Sequence, residues 1–511
     1  MARSTRETER TYAVPDADIS WLPALAGASR IASVADQGVQ ELDAVYYDSS
    51  DLRLTRSHAS LRRRTGGTDA GWHLKLPLPG DSREEIQAPL GAKDAPEELR
   101  DLTLSRTRGA ALRPVMRIRS SHSLHHLLDA EGDVLAKLSM DEVSAEALLD
   151  DKGRTAWTEM EVELVHSDPA LLDSVEKAVR KRGLHQAQSP SKVLRALTET
   201  TSILQHATEA RADLEPGTAG SYVLAYIARL VDALTDLDPA VRRDVPDSVH
   251  QMRTTARRLR GCLRSYRPVL DREATDPIRR DLKWLAGELG QERDHEVLRE
   301  RLTSGLRELP GELVLGPAEA RLKVWDVARQ TEARRRTLEA LASPRYLNLL
   351  QDLKSLTEVP PLHAAKAVGK PGKVLGKALR KEYRRLARRM EPALAMVPGP
   401  ERDTAIHHAR KAAKRLRYAS EAARPALGRP ARRLGKRVKA VQRVSGAQHD
   451  SVVTRDALRQ LAVSAHAAGE PGFTWGILHG REAAAAGARE RQLPQAWAKA
   501  RAAARKKAPW S

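Results

Sequence analysis

The chain is expected to be an α+β protein, with a strand-rich front region followed by an all-helical rear region. Three observations carry that expectation. Up to about residue 200, apolar and charged side chains alternate with period two between turns, the mark of strands with one buried face. From about residue 219 onward, helical patterns follow one another with little interruption. Within that helical region a basic stretch recurs in register, which implies two similar helical units, related by pseudo-symmetry, that can face each other. At 511 residues the chain is too long for one ordinary domain.

In the front region, Glu7-Thr-Glu-Arg-Thr-Tyr-Ala-Val14 opens with both Glu residues on one strand face. A strand leads into Tyr46-Tyr47-Asp48, and Leu61-Arg-Arg-Arg64 forms another before the Gly66-Gly67 turn. In Trp72-His-Leu-Lys-Leu76, His73 and Lys75 share one face, and Trp72, Leu74 and Leu76 the other. Arg83–Gln87, Val115–Arg119, Leu135–Asp141 and Trp157–Leu164 complete the set of short strands, with helical segments near 96–106 and 169–183. In almost every strand one face is charged and the other apolar. A half-exposed sheet gives that pattern, and so does a closed barrel packed on its outside with charges pointing into its lumen. The mixture of signs favours the barrel. Arg62, Arg64, Lys75, Arg117, Arg119 and Lys137 supply cations, and Glu7, Glu9, Asp141, Glu159, Glu161 and Glu163 supply carboxylates. A lumen that holds a metal-complexed triphosphate needs both: cations to clamp phosphate oxygens, and hard oxygen ligands for the metal.

Residues 201–218, with His206, Ala210, Pro216 and Gly217, read as a linker into the helical region, 219–505. Breaks near Pro310-Gly311, Val359-Pro-Pro361 and Gly369-Lys-Pro-Gly372 interrupt that region, and the last separates repeats at about 219–365 and 373–505. The stretch Val249–Tyr266 reads as a helix. At 100° per residue its His250, Arg253, Arg257, Arg260 and Arg264 fall within an arc of roughly 80°. Met252, Ala256, Leu259 and Leu263 gather on a different face. His407, Arg410, Lys414 and Arg417 repeat the spacing of the first four, with Ala409, Ala413 and Leu416 on the apolar side. Downstream, Lys283 and Leu289-Gly-Gln-Glu-Arg-Asp294 correspond to Lys439 and Ser445-Gly-Ala-Gln-His-Asp450. One such stripe alone would be read as a solvated basic face. Two in register, each led by a His, point to an extended polyanion, because no packing argument asks for that spacing twice. The two His residues have two readings. They either bridge polar groups within the bundle, or donate to phosphate oxygens, in which case binding strengthens as pH falls through about 6.5. The tail, 498–508, is rich in Ala, Lys and Arg and reads as a frayed helix.

Charge divides the chain in the same place. Residues 1–200 hold 27 basic and 32 acidic side chains, a net of −5, and the remainder hold 60 and 35, a net of +25. The rear region therefore asks for a polyanionic partner. The single cysteine, Cys262, excludes an intrachain disulfide framework and suits a reducing cytoplasm; it falls towards the apolar side of its helix, as a buried inert thiol does. The first residues carry no apolar signal-peptide core, and no apolar run approaches ~18 residues, so neither export nor a membrane span is expected.

The ordered set Glu7-x-Glu9, Tyr47-Asp48, Leu61-Arg62-x-Arg64, Leu74-Lys75, Arg83-x-Glu85, Arg117-x-Arg119, Asp141, Glu159-x-Glu161-x-Glu163 and Pro190-Ser-Lys192 with Arg195 resembles the CYTH domain of the triphosphate tunnel metalloenzymes, over roughly residues 1–200. The pattern His-x-x-Arg-x-x-x-Arg-Arg-Leu-Arg from His250, its copy ending Lys414-Arg-Leu-Arg-Tyr418, and Gly290-Gln-x-Arg-Asp294 resemble the CHAD domain, the conserved-histidine α-helical domain, over about residues 215–505. The order of the two resembles CYTH–CHAD fusions. The first resemblance implies an eight-stranded antiparallel tunnel that hydrolyses triphosphate, or a triphosphorylated substrate, with Mg²⁺ or Mn²⁺. Carried over by position, Arg62, Arg64, Lys75, Arg117 and Arg119 would hold phosphates, joined by Arg83 and Lys137. Glu7, Glu9, Asp141, Glu159, Glu161 and Glu163 would be the metal-ligand candidates, not all three late Glu touching metal. The second resemblance implies two four-helix bundles around a basic groove that binds inorganic polyphosphate. The residues matching it are His250, Arg253, Arg257, Arg260, Arg264 and Lys283, with His407, Arg410, Lys414, Arg417 and Lys439 in the second repeat. One departure stands out. The CYTH signature Glu-x-Glu-x-Lys has Thr11 at its Lys position, so the lumen loses a charge-assisted contact worth on the order of 1.5–3 kcal/mol.

Three functions follow, in order. The first is a cytoplasmic protein that binds polyphosphate through its helical region, in association with polyphosphate granules, and cleaves triphosphate in its tunnel. The second is a non-enzymatic polyphosphate binder whose degenerate tunnel only holds phosphate. The third is a binder of nucleic-acid backbones, suggested by a pI near 10.1. Against the third, aromatic residues are only 4% of the chain, and the basic stripes lack the interleaved aromatics that stack bases.

Overall fold

The computed structural model describes residues 3–15, 18–91, 94–149, 153–165, 167–204 and 214–505. Residues His206 and Ala210 of the expected linker, and 506–508 of the expected frayed tail, lie outside the described residues. The chain divides into two compact units, Met1–Ala210 and Arg211–Ser511.

The first unit is a closed antiparallel barrel. Its strands are β1 (Arg3–Val14), β2 (Ser33–Asp48), β3 (Ser60–Thr65), β4 (Gly71–Pro77), β5 (Ser82–Pro89), β6 (Arg113–Leu128), β7 (Val134–Ala147) and β8 (Arg154–Leu164), with a two-residue β9 (His185–Gln186) added on β1. The order is β5-β4-β3-β2-β6-β7-β8-β1, and β1 closes the ring by pairing with β5 through Arg3–Thr8 and with β8 through Glu9–Val14. Closure removes both sheet edges, so of the two architectures compatible with the alternation, the barrel is the one formed. Four helices accompany it: α1 (Arg53–Arg56), α2 (Glu97–Thr107), α3 (Ala170–Arg180) and α4 (Lys192–Thr200). Leu99 and Leu102 of α2 cover the outward Leu61, Trp72, Leu74 and Leu76, and Leu171, Leu172, Val175 and Val179 of α3 cover Leu135, Leu138 and Val162. Helix α4 is placed differently. Its Val193, Ala196 and Leu197 pack on Ala44, Tyr46, Ile118, Val143 and Ala145. These have the same strand parity as the luminal residues, so α4 plugs one end of the barrel.

The second unit is all helical: α5 (Ala219–Arg242), α6 (Ser248–Ser265), α7 (Arg272–Arg307), α8 (Ala318–Ala342), α9 (Pro344–Glu358), α10 (Ala364–Ala367), α11 (Pro371–Ala395), α12 (Pro400–Ala467), α13 (Phe473–Glu490) and α14 (Leu493–Arg505). Helix α12 is broken at Gly428 (φ 58°, ψ −135°), a backbone geometry open to glycine and costly for other residues, so its two halves act as separate helices. That break restores the repeat: α5, α6 and α7 correspond to α11 and the two halves of α12. One apolar core runs through both repeats, from Val223 and Leu259 to Leu416 and Trp497. A smaller core joins the far ends of α7 and α12 to α8 and α13 through Leu302, Leu306, Leu461 and Trp475. Helices α6 and α12 meet closely, with Gly261 against the ring of Tyr418 and the Tyr266 hydroxyl donating to the Ala419 carbonyl (2.7 Å). Cys262 is fully buried in this core, and burial pushes its thiol pKa up, as an inert structural thiol requires. Among the described residues, no helix is long and apolar enough to cross a membrane.

Candidate functional site

Each unit holds a concentrated polar site lined by side chains that the sequence singled out. In the barrel, strand parity selects the luminal side chains. Cross-strand partners such as Tyr46 and Arg62, Lys75 and Glu85, Ser139 and Glu161, and Glu9 and Glu163 share the interior face and line a cavity of about 210 Å³. Around the ring the charges separate. The neighbouring strands β3, β4 and β5 carry Arg62, Arg64, Lys75 and Arg83, while β7, β8 and β1 carry Asp141, Glu161, Glu163, Glu7 and Glu9. Between them β2 and β6 present uncharged or titratable groups, including Gln40, Leu42, Ser120 and His122. The exceptions are Lys137, directly opposite Glu163, and Glu85, which bonds His73 Nδ1 (3.0 Å) and pairs with Arg62 (3.6 Å). Where the walls meet at the β5–β1 seam, Lys75 Nζ lies 2.8 Å from Glu7 and 3.6 Å from Glu9, and Arg83 lies 3.5 Å from Glu9.

The second hub is Lys192, at the first turn of α4. Its ammonium reaches Glu159 (2.8 Å), Glu161 (3.0 Å) and Asp141 (3.2 Å) together. His122 Nδ1 bonds the other oxygen of Asp141 (2.6 Å), and the Trp157 indole donates to Glu159 (2.7 Å). Three carboxylates are thus held around one cation. Burial would raise Asp141, but the charge of Lys192 and the bond to His122 hold it well below the ordinary carboxylate range. Burial raises Glu163. It also raises Glu7, to about 7 despite the opposing charge of Lys75. Glu85 goes the other way: burial is outweighed by the His73 hydrogen bond and by Lys75 and Arg62, so it stays ionised. Arg64 is brought down to about 9 by burial and by the charge of Arg62.

The donor set suits a hard divalent ion, since it consists of carboxylate oxygens. Among the described residues, however, no group of three or more His, Cys, Asp or Glu is arranged to hold a metal; Lys75 and Lys192 each stand among the carboxylates instead. That is compatible with Mg²⁺, which is usually held by one or two carboxylates together with substrate phosphates rather than by an all-protein cage.

Of the expected phosphate-binding residues, Arg62, Arg64, Lys75, Arg83 and Lys137 line the lumen. Arg117 and Arg119 do not. On β6 the inward positions are Ile118, Ser120, His122 and Leu124, so both arginines point outward, where they pair with Asp43 (2.5 and 3.6 Å) and stay 40% and 54% exposed. The carboxylates Glu7, Glu9, Asp141, Glu161 and Glu163 line the cavity, and Glu159 lies just behind it, buried on Lys192. Thr11 pairs with Glu161 across the strands, yet that layer has not lost its cation, because Lys192 reaches Glu161 from α4. Side chains that the sequence left without a role include Lys192, Glu85, His73 and His122. Lys192 stood in the recognised Pro-Ser-Lys motif, and Glu85 and His73 sat on charged strand faces.

In the helical unit, α6 and the first half of α12 bring His250, Arg253, Arg257, His407, Arg410 and Lys414 around one cavity of about 750 Å³, with Arg417 and Lys439 at its side. The two repeats build it alike. Arg253 donates to Asp294 (2.7 Å) over Gly290, where a Cβ would come 3.1 Å from its guanidinium. Arg410 faces Asp450 (3.8 Å) over Gly446, where a Cβ would come 3.2 Å from it. The duplicated Gly and Asp are therefore the seat and the tether of one arginine in each repeat. Arg257, Arg260 and Lys414 have no ion-pair partner among the described residues, and the Nε atoms of Arg253, Arg410 and Arg417 are buried without a hydrogen bond. Burial and the neighbouring Arg257, Arg410 and Arg253 bring Lys414 down to about 6. Burial and Arg293 lower His250.

Three expected members lie off this cavity. Arg260 and Arg264 continue the stripe beyond it, towards Arg279 and Arg385, and Lys283 is exposed elsewhere on α7 although its counterpart Lys439 lines the cavity. Arg258, Arg293 and Lys411 join the lining without having been expected, and an adjoining cavity of about 520 Å³ adds Arg301, Arg443 and Arg489.

Comparison with known proteins gives three findings. The CYTH domain model matches residues 6–197, and the CHAD domain model matches residues 225–459. The protein MT2285 of Mycobacterium tuberculosis is 36% identical over 516 residues, covering 98% of this chain and 97% of its own. Among solved structures, PptA from Streptomyces chartreusis covers 55% of this chain at 22% identity with a TM-score of 0.46, and 99% of PptA is matched. The CHAD domain from Ricinus communis covers 57% of this chain at 25% identity with a TM-score of 0.45, and 96% of that domain is matched.

Proposed function

Because the chain belongs to the proteins that join a CYTH domain to a CHAD domain, we propose that it binds inorganic polyphosphate in the helical groove and hydrolyses inorganic triphosphate in the tunnel with Mg²⁺ or Mn²⁺. The observation that carries the proposal is the separation of charge around the lumen, with cations on β3–β5 and carboxylates on β7, β8 and β1. A triphosphate laid along the first wall has Arg62, Arg64, Lys75 and Arg83 for its oxygens and the second wall for its metal. Among the described residues, Tyr46 is the only Tyr, Trp or Phe in the lining, which favours an inorganic chain over a nucleotide.

Glu9, Glu161 and Glu163 are the carboxylates best placed to share a divalent ion with the phosphates, opening onto the lumen from paired strands. When bound, such an ion neutralises charge that develops on the phosphates. The chain supplies the rest. The arginines fix the phosphate chain in line and stabilise the leaving phosphate, and the barrel excludes bulk water. Glu7, held near 7, has the proton affinity to accept a proton from the attacking water at neutral pH.

Phosphate release from tripolyphosphate, with and without Mg²⁺ or Mn²⁺, tests this. Metal-dependent release that is lost in Glu9→Gln and in Glu161→Gln is the expected result. A second reading has a specific basis: Lys192 occupies the middle of three carboxylates, as it would in a tunnel that holds phosphate without cleaving it. Tight tripolyphosphate binding with no release under either metal selects that reading.

A further inference from the structure

Helix α11 carries a second basic track, separate from the groove residues of α6 and α12. Lys370 at its cap, then Lys373, Lys377, Lys381, Arg384 and Arg388, with Arg380 half-buried beside them, line a shallow cavity of about 940 Å³ along one side of the helix. At 100° per residue they occupy an arc of about 100°, and from 370 to 388 they span about 27 Å. None takes part in an ion pair among the described residues, although α11 does pair elsewhere: Arg385, one step round the helix, contacts Glu382 (3.5 Å). Apart from Gly372 the lining is wholly Lys and Arg.

The internal repeat supplies a control. Buried Val223, Tyr226, Ile227, Leu230 and Leu234 of α5 match buried Leu375, Ala378, Leu379, Glu382 and Leu386 of α11, a constant offset of 152 positions. On that alignment Lys373, Lys377, Arg380, Arg384 and Arg388 stand where α5 has Ser221, Ala225, Ala228, Asp232 and Asp236, and only Lys381 meets another cation, Arg229. The same face thus carries one cation and two carboxylates in one repeat and is uniformly cationic in the other. Neither packing nor helix formation requires that difference, since both faces are solvent-exposed and both helices form. Beside the track, α11 also faces the part of the basic stripe that continues beyond the groove. Arg385 and Arg389, adjoining Arg384 and Arg388, come close enough to Arg264 and Arg415 to help burial lower the latter to about 10, and Arg389 donates to the His408 carbonyl (3.2 Å).

Resting on the reading of the groove as a polyphosphate site, we propose that the α11 face is a second phosphate track, which takes the overhang of a polyphosphate chain whose other segment lies in the groove. The chemistry matches a bare phosphate chain. Four ammonium and three guanidinium groups follow one another along a single helix, and no aromatic or amide side chain stands among the lining residues to read or stack a base.

The test measures binding of long-chain polyphosphate and of a short oligophosphate to the full chain at fixed salt, for wild type, a track variant (Lys373→Glu, Lys377→Glu, Lys381→Glu) and a groove variant (Arg257→Ala, Arg410→Ala). The track positions are exposed, so unchanged circular dichroism and melting temperature are expected; the corresponding triple Gln variant repeats the test without charge reversal. The track variant should lose about tenfold or more in affinity for the long chain and show a shallower salt dependence, with short-chain binding unchanged. The groove variant should weaken both lengths. Unchanged long-chain binding in the track variant overturns the track while leaving the groove standing. A groove variant that binds both lengths as wild type does overturns the groove reading and the inference resting on it. If the track variant keeps polyphosphate but loses duplex DNA, the face serves nucleic acid and the inference fails.

Discussion

Replacing Lys414 by glutamine isolates the electrostatic strain that burial and the groove's arginines impose on one ammonium. Burial and three neighbouring arginines hold this ammonium near 6, against an ordinary lysine value of about 10.5. At pH 7 only about one molecule in ten therefore carries that charge. A polyanion in the groove reverses the local field and restores the ammonium towards its ordinary range, so close to one proton is taken up for each chain bound. The sign follows from linkage: a group depressed in the free protein and restored in the complex takes its proton with the ligand. Affinity is then full below about pH 6, where the free protein already holds the proton, and falls as pH rises. Above about pH 7 the slope approaches about 1.4 kcal/mol, or tenfold, per pH unit, and the loss between pH 6 and 8 amounts to about fiftyfold. His250 is lowered below its ordinary value by burial, so the interval from pH 7 to 8 reports on Lys414 rather than on imidazole. Titration calorimetry of long-chain polyphosphate at pH 7, in two buffers of different ionisation enthalpy, reads the proton count. The difference between wild type and Lys414→Gln removes any contribution from terminal phosphates. Equal uptake in the two proteins, or an affinity that stays flat from pH 7 to 8, refutes the reasoning.

Four further outcomes are expected. Gly290→Ala and Gly446→Ala should keep or raise thermal stability, by about 0.5–1 kcal/mol from helix propensity, while weakening polyphosphate binding, because the new Cβ presses on the guanidinium of Arg253 or Arg410; melting curves and binding isotherms on the same samples separate the two effects. If Glu7 accepts the water proton, phosphate release should rise with pH through about 7, where its carboxyl ionises, and Glu7→Gln should abolish that limb of the profile. Thr11→Lys adds a cation to a layer that Lys192 already serves, so its gain in tripolyphosphate affinity should be small, under about 1.5 kcal/mol, and should grow when Lys192 is removed. Lys192→Met leaves Asp141, Glu159 and Glu161 without their shared cation and should cost about 3–5 kcal/mol at pH 7. Mg²⁺ should raise the melting temperature of that variant more than that of wild type; an equal response would show that the three carboxylates do not form a cation site.

The sequence revealed the features of this molecule governed by short periods. Period-two alternation placed Glu7, Glu9, Lys75, Asp141 and the late glutamates on one strand face each, and the closed ring turns those faces inward. It failed on β6 because both faces of that strand are polar there: Arg117 and Arg119 on one side, Ser120 and His122 on the other, so alternation alone does not say which looks inward. The register shifts where β2 meets β6, between Asp36 and Val39 and between Tyr46 and Tyr47, further separate position in the strand from position in the lumen. Lys192 was visible as a residue, but its role depends on α4 plugging the barrel, a contact between segments distant in sequence. In the helical unit the duplication disclosed both His-led helices, and the structure adds the reason for the downstream Gly and Asp. What duplication cannot disclose is where the repeats differ, as Lys283 and Lys439 do.

The lumen and the groove, both proposed to take phosphate, distribute their charges in opposite ways. The lumen balances its cations with carboxylates on the opposite wall, so a small anion enters a nearly neutral enclosure where each contact is strong and placement is tight. The groove is open and carries its cations in excess, to the point that Lys414 gives up its proton. Such a surface gains its affinity from neutralising many phosphates at once and has little means of orienting one of them for attack. On the proposed function, one ligand class therefore meets opposite designs. If the groove itself released phosphate in the absence of a working tunnel, as an Arg62→Ala, Glu9→Gln variant would reveal with long-chain polyphosphate, this division between orienting and gathering would be wrong. Retained binding with release abolished is the result that the two charge distributions require.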